Sequence, residues 1–411
     1  MKKRIIIILT LLIILALSAT IYFIYFKQPA AAQNESEVIE PIEQPEEESV
    51  PLIKYEGPIH HVFFHSLIAY TDLAFDNDGQ SNGYNYWMTT VSEFEAMLPQ
   101  LLERGYILYD ITELIEEDPN DVTKIQKKDI YLPEGKIPLV ISIDDVNYYE
   151  YMKNDGFASK LVIDENGKVA NEIITPEGTA IISRKADVMP ILDDFVEEHP
   201  EFSFNGAKGI IALTGYEGAL GYRITDLKGE ELDKAIIDAT TVADKLKENG
   251  WKFACHSYTH NQYFKNYTVT MKQIKYDTER WKKYIEPVVG KTNIYISPFG
   301  IRFKSTDERY RYLVEEGFNI FCPVQKTPEL SFYGDNVIMP RFNLDGYSMF
   351  NRAEYINETY YNVDEVIDKA RPKLKWCLRT IMIVLFYYTS SVSFTDTFPS
   401  RGRFYFHTQL C

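Results

Sequence analysis

Between residues 209 and 340 the sequence keeps changing its period. Short apolar runs of strand length, Gly209–Thr214, Trp251–Cys255, Asn293–Ile296 and Phe318–Phe321, are separated by longer amphipathic runs at about 230–249, 268–286 and 305–316. Gly250 and Gly317 stand just past two of the long runs, where a helix end favours a residue free to take a left-handed backbone. Runs of four to six apolar residues are strands by length, and runs of twelve or more with an apolar stripe are helices. A helix between two strands carries the chain back over the sheet, so successive strands lie parallel. The body is therefore α/β, a parallel sheet with covering helices.

The part before residue 209 supplies further elements. Ile59–His65 reads as a strand whose alternation puts His61, Phe63 and His65 on one face. Ser92 and Glu95 have the spacing of a capping box, and Phe94, Met97, Leu98, Leu101 and Leu102 continue it as a helical stripe, with Pro99 placed to bend it and Gly105 to end it. Tyr106–Tyr109 and Ile137–Ile143 are the next strands. A long insertion, 146–208, then separates Asp145 from the strand at 209, with a hairpin turning at Asn166-Gly167 and a helix at 188–198. An insertion at that place is either a lid or substrate wall, or a surface decoration. After residue 340 a helix at 352–370 is expected.

The two ends differ from the body. Lys2, Lys3 and Arg4 precede an unbroken apolar run, Ile5–Phe26, long enough to span a bilayer. Residues 1–28 are thus a membrane anchor with the amino terminus in the cytosol, the competing reading being a signal peptide cleaved near Ala30-Ala31-Ala32. Residues 29–56, rich in Glu and Pro, read as an unstructured acidic linker. The folded domain takes in 57–370. From 371 to 411 Lys and Arg prevail, and an apolar run at 381–388 is too short to span; the tail reads as a frameshifted ending or as an interfacial membrane patch. A formal charge of −17 excludes nucleic acid as a partner. Four cysteines without metal spacing give no disulfide framework, and Cys255 and Cys322 sit in strand runs as core residues.

Two stretches carry chemistry. Asp144-Asp145 follows the strand 137–143, and His256-Ser-Tyr-Thr-His260 follows the strand 251–255, so both lie where a strand's carboxyl end opens into a loop. One carboxylate and two imidazoles can hold a divalent ion with positions open to water and substrate, and a second carboxylate can take the water's proton. Taken singly, an Asp pair is also a solvated turn or a helix cap, and two histidines four apart are also hydrogen-bonded core residues.

Ser142-Ile-Asp-Asp145 and His256-Ser-Tyr-Thr-His260 together resemble the first two motifs of the polysaccharide deacetylases, the NodB-homology carbohydrate esterases of family 4. Phe64-His65, Val91-Ser-Glu-Phe-Glu95 and Leu102-Glu-Arg-Gly-Tyr106 look like the amino-terminal part of the biofilm-exopolysaccharide branch, and the likeness spans about residues 59–345. The resemblance implies a distorted, incomplete (β/α) barrel, here preceded by the transmembrane helix read from Ile5–Phe26. It implies Asp145, His256 and His260 as metal ligands, zinc by default with manganese, cobalt or nickel also suited. It implies Asp144 as the base and, since no late Leu-x-His motif is present, His65 as the general acid; the plain alternative for His65 is a structural strand-end residue. Pro298, Phe299 and Arg341 are the candidate substrate-binding residues. The family's usual Gly after the Asp pair is Val146 here, so that loop differs. The Arg that usually precedes Pro298 is missing; Arg341 is a candidate charge partner in its place, against the reading of a surface arginine.

The function expected is removal of N-acetyl groups from a β-linked amino-sugar polymer, peptidoglycan or poly-N-acetylglucosamine, by an extracytoplasmic, membrane-anchored enzyme. Alternatives are a catalytically impaired glycan-binding pseudoenzyme, motivated by Val146 and the missing Arg, and an O-acetyl esterase.

Overall fold

The computed structural model describes residues 51–373. The expected anchor, most of the linker and the apolar run of the tail lie outside them. Among the described residues no helix is long and apolar enough to cross a membrane.

Ten strands form the main sheet: β1 (His60–Phe64), β2 (Tyr106–Leu108), β3 (Ile137–Ile143), β4 (Ile210–Leu213), β5 (Lys252–Cys255), β6 (Ile294–Ile296), β7 (Ile320–Cys322), β8 (Ser331–Phe332), β9 (Val337–Ile338) and β10 (Phe342–Asn343). Their order is β8-β9-β7-β6-β5-β4-β3-β1-β10, with β2 also on β3. Every pair is parallel except β8 with β9. The alternation of strands and helices thus specifies what is found, a mixed α/β body with a curled, incomplete barrel. One run of chain joins its two ends: Val337 and Ile338 pair with β7, Arg341 N donates to Pro323 O at 2.9 Å, and Phe342 and Asn343 pair with β1.

Both faces of these strands are buried, which is why they read as continuous apolar runs rather than alternating ones. Leu139, Ile141, Ile211, Leu213, Phe253, Cys255, Tyr295 and Phe321 face outward and share a core with helices 188–198, 229–248, 271–284 and 308–315. Val140, Ala212, Ala254, Ile294, Ile320, Cys322 and Met339 fill the interior, together with Ile111, Leu114, Ile130 and Leu132 from the connections. Cys255 and Cys322 are buried and free.

Three expectations are corrected. Leu52–Tyr55 is a strand paired antiparallel with Ile130–Pro133, so the linker's last residues belong to the folded body. The capping box uses Thr90 and Glu93, not Ser92 and Glu95, and the helix Val91–Glu103 runs on through Pro99. Thr-x-x-Glu and Ser-x-x-Glu overlap here, and the first is chosen because buried Glu93 also receives Arg371 at 2.7 Å. The expected helix at 352–370 is two short ones, Ala353–Thr359 and Val363–Val366, because Asn362 caps the second with its own side chain. The insertion contains the expected hairpin, enlarged to three antiparallel strands (Ala158–Ile163, Val169–Ile174, Ala180–Ser183), and the expected helix Val188–Glu198.

Candidate active site

The site residues continue the inward-facing alternation one step past the strand ends. His61 and Phe63 lead to His65 on β1, Val140 and Ser142 to Asp144 on β3, Ala212 to Thr214 on β4, and Ala254 to His256 on β5. A period of two therefore aims them all into one end of the barrel. Asp145 follows with a left-handed backbone, φ 60°, which aspartate tolerates better than most residues. That bend turns Val146 into the core and leaves Asn147 to pin the loop, through Nδ2 to Thr214 O at 3.0 Å and Oδ1 from Thr214 N at 3.1 Å. This is how the loop accommodates Val146 at the position where the resemblance led us to expect a glycine.

The histidine loop is held from outside. Buried Asp277, on helix Met271–Tyr284, accepts Thr259 N at 2.9 Å, Tyr258 N and the Thr259 hydroxyl. Ser257 and His260 both take positive φ, 63° and 44°, and His260 N donates to Ser257 Oγ at 2.9 Å. Sequence reading missed Asp277, which looks like any polar residue of an amphipathic helix.

One ligand atom each of Asp145, His256 and His260 lies within 4.8 Å of the others, and His256 Nε2 is 4.0 Å from Asp145 Oδ1. Atoms that share an ion at ~2.0–2.2 Å stand at most about 4.4 Å apart, so these separations are close to those of donors to one cation. The ring orientation fits as well. His256 Nδ1 is 2.8 Å from Ile296 O, a carbonyl that can only accept, so Nδ1 carries a proton and Nε2 is the nitrogen turned toward the site. Burial first of all pulls the His260 imidazole down to about 4, with Asp145 opposing, which leaves it a free base at neutral pH. Asp145 is fixed by the Tyr149 hydroxyl at 2.7 Å, which itself meets Thr214 Oγ1 at 2.7 Å. These features suit a divalent cation with nitrogen and oxygen donors.

Asp144 is answered by Arg341. The guanidinium donates to Oδ1 at 2.6 Å and Oδ2 at 2.7 Å, a two-pronged pair, and also reaches Ser142 Oγ at 3.1 Å and Cys322 O at 3.2 Å. Its carbon lies 4.1 Å over the Phe63 ring. Arg341 is 1 % exposed, so the reading of a surface arginine is corrected. Burial alone would raise the Asp144 carboxyl, yet Arg341 and then His256 hold it well below the usual carboxylate range. Asp144 Oδ2 stands 3.7 Å from His256 Nε2, beside the cation set.

Asp144, Asp145, His256, His260, His65, Phe299 and Arg341 line one cavity of about 600 Å³. His65 Nδ1 is buried with no hydrogen-bond partner among the described residues. Phe299 takes φ 54° and sets its ring 4.3 Å from that of His260. Pro298 is buried and does not line the cavity; contrary to the expectation of substrate contact, it shapes the turn that presents Phe299. From the insertion only Tyr149 and Tyr151 reach the cavity, and residues 153–208 do not line it.

No protein-family model and no curated protein matches the chain. Among solved structures it is similar to the deacetylase PplD of Streptococcus pyogenes in complex with acetate, at 12 % identity over 75 % of this chain and 99 % of that one, TM-score 0.40. It is also similar to a polysaccharide deacetylase from Bacillus cereus, at 14 % identity over 71 % and 66 %, TM-score 0.39. A third is a de-N-acetylase from Aggregatibacter actinomycetemcomitans, at 13 % identity over 71 % and 96 %, TM-score 0.41.

Proposed function

We propose that this chain is a metal-dependent hydrolase of the polysaccharide deacetylase type, removing N-acetyl groups from an amino-sugar polymer such as peptidoglycan or poly-N-acetylglucosamine. The observation that carries the reading is the conjunction of an Asp–His–His set with ligand atoms within 4.8 Å and a second, ionised carboxylate beside it. The membrane anchor read from the sequence would place the domain outside the cytosol, where such polymers lie.

Asp145, His256 and His260 would hold the ion, with zinc the default and manganese, cobalt or nickel also suited. When bound, a divalent ion there supplies Lewis acidity, making a water more acidic and polarising an acyl oxygen. Asp144, kept ionised by Arg341, takes the proton of the attacking water. His65, in the same cavity with an unengaged ring nitrogen, gives a proton to the departing amine. Tyr149 and the Nδ1–H bond of His256 fix the orientation of two ligands before substrate arrives. The absence of an arginine before Pro298 favours a binding-only protein, but Arg341 gives Asp144 two hydrogen bonds from elsewhere in the chain, which supports a working base.

The test is metal analysis coupled to acetate release from N-acetylated and O-acetylated glycans by the full-length chain, with and without His256→Ala. Metal-loaded wild type is expected to release acetate from the N-acetylated glycan and the variant to lose both metal and activity. Equally negligible release by chelator-treated and metal-loaded protein would overturn the proposal, and release from O-acetylated glycan alone would make it an esterase.

A further inference from the structure

Trp87 is the last residue of helix Ser81–Trp87 and is 44 % exposed, although it lines the same cavity as the Asp–His–His set. Its indole stacks on Tyr347, of helix Gly346–Asn351, with centroids 5.6 Å apart and planes at 28°. Tyr86 lies 5.9 Å from Trp87 and 6.1 Å from Tyr347, so three aromatic rings meet at the cavity's rim. Tyr347 stacks on the indole, and nearly half of the Trp87 side chain is open to solvent.

The shelf is rigidly built. Gly346 lets the two helices meet, since a Cβ there would fall 2.1 Å from Asn85 O. Arg371 Nη1 donates to that same Asn85 O at 2.8 Å, and Thr89 Oγ1 donates to Leu344 O at 2.8 Å just beyond. A large aromatic face held open to solvent beside a polar site is an unfavourable arrangement unless something covers it. A pyranose ring has the matching chemistry, with axial C–H groups on one face for the indole and hydroxyls at its edge for water. A pre-ordered ring also loses little entropy on binding.

From this geometry we infer that the Trp87–Tyr347 shelf binds a pyranose ring of the unit next to the one being deacetylated, so that the site reads a sugar chain rather than a single sugar. The inference rests on the proposed function for the place of the reacting unit. The ligand class is a β-linked N-acetylhexosamine oligomer, and no peptide is needed for recognition.

The test is calorimetric binding of N-acetylglucosamine and its β-linked tetramer to the full-length chain, stripped of metal by a chelator so that no turnover occurs. Wild type, Trp87→Ala, Trp87→Phe and Tyr347→Ala are compared, with thermal midpoints as the control for folding. Loss of one stacked ring is expected to lower tetramer affinity about five- to tenfold in both alanine variants, with Trp87→Phe keeping most of it. Unchanged tetramer affinity in the alanine variants, an equal loss for monomer and tetramer, or no tetramer binding by wild type would each overturn the shelf. If one alanine variant melts early, the other and Trp87→Phe decide. Trp87-dependent tetramer binding without acetate release from any glycan would sustain the shelf and sink the hydrolase reading instead.

Discussion

Arg341→Met keeps the length of the side chain and removes its charge, leaving Asp144 as a buried carboxylate with no cation facing it. Wild-type Arg341 gives that carboxylate two charge-assisted hydrogen bonds at 2.6 and 2.7 Å, and both residues are almost fully buried. Breaking one side of such a pair costs about 3–5 kcal/mol, most of it the penalty of the stranded charge. The variant therefore protonates Asp144, because burial, the largest influence on this carboxyl, already pushes it up. The sign of the pH dependence inverts with it. In wild type the depressed carboxyl contributes stability above its unfolded value near 3.8, lost as pH falls through the folded value. In the variant the raised carboxyl favours the fold at low pH and loses that advantage as pH rises through its new value. Urea unfolding at pH 4.5 and 7 should thus show the larger deficit at pH 7, and Arg341→Met/Asp144→Asn should recover more than half of it. Acetate release should fall at least 100-fold, the lower range for losing a general base. A deficit under about 1 kcal/mol that is the same at both pH values, or a double variant no more stable than the single one, would refute the reasoning.

Three further outcomes follow from the same geometry. Tyr149→Phe removes the hydroxyl that steadies Asp145 and should weaken metal binding about tenfold, read by competition with a chromogenic chelator. Metal at ~100 times its dissociation constant should stabilise wild type by about 2.7 kcal/mol in thermal or urea unfolding, and His260→Ala should show no such increment. Asp187, buried and accepting Leu67 N, Val188 N and the Tyr148 hydroxyl, is pushed up to about 6 by burial. Its protonated form favours the fold below the unfolded value and the advantage is lost as pH rises through 6, so Asp187→Asn should gain on wild type by up to ~3 kcal/mol between pH 4 and 7. A difference between the two proteins that stays constant over that range would count against the burial argument.

The parallel core was legible because its strands are buried on both faces, which writes each of them as an apolar run. The meeting of the Asp pair and the two histidines was legible for a related reason. Asp144 and His256 each extend a strand's inward alternation by one residue, with Asp145 next to the one and His260 four residues past the other, and a strand end is easy to find. What escaped is non-local or ambiguous. Arg341 was legible as a candidate charge partner, but it stands 197 positions from Asp144, and nothing near it in sequence decided between a buried guanidinium and an exposed one. Asp277 acts across 18 residues on the backbone of Thr259 from a helix most of whose polar residues face water. The strand Leu52–Tyr55 leaves Leu52 and Ile53 about half exposed, so pairing with Ile130–Pro133 rather than an apolar pattern holds it. The cap at Thr90 was hidden because two overlapping four-residue patterns fit, and its arbiter, Arg371, lies 278 positions downstream.

The curl of the sheet and the ionised state of Asp144 have one structural cause. The run 337–343 leaves β7 and arrives at β1, and Arg341 is the residue at the crossing. Its backbone N–H closes the seam onto Pro323 O while its side chain crosses the interior to Asp144, with Ser142 Oγ linking it at 3.1 Å and His61 Nε2 meeting that hydroxyl at 3.0 Å. Burial, and after it the charge of Arg341, holds His61 well below the usual imidazole range, so His61 stays neutral and adds no second cation to compete for the carboxylate. The strand β1 that lies between β3 and β10 also carries His65 to the cavity. A seam formed by a late segment and the first strand thus supplies both the counter-charge that keeps Asp144 ionised and the imidazole that faces the same cavity. Any change that opens the seam withdraws Arg341 from Asp144, while β1 stays paired with β3 and Asp145, His256 and His260 stay just past the ends of β3 and β5, so cation binding should outlast the ionised state of Asp144 in seam variants.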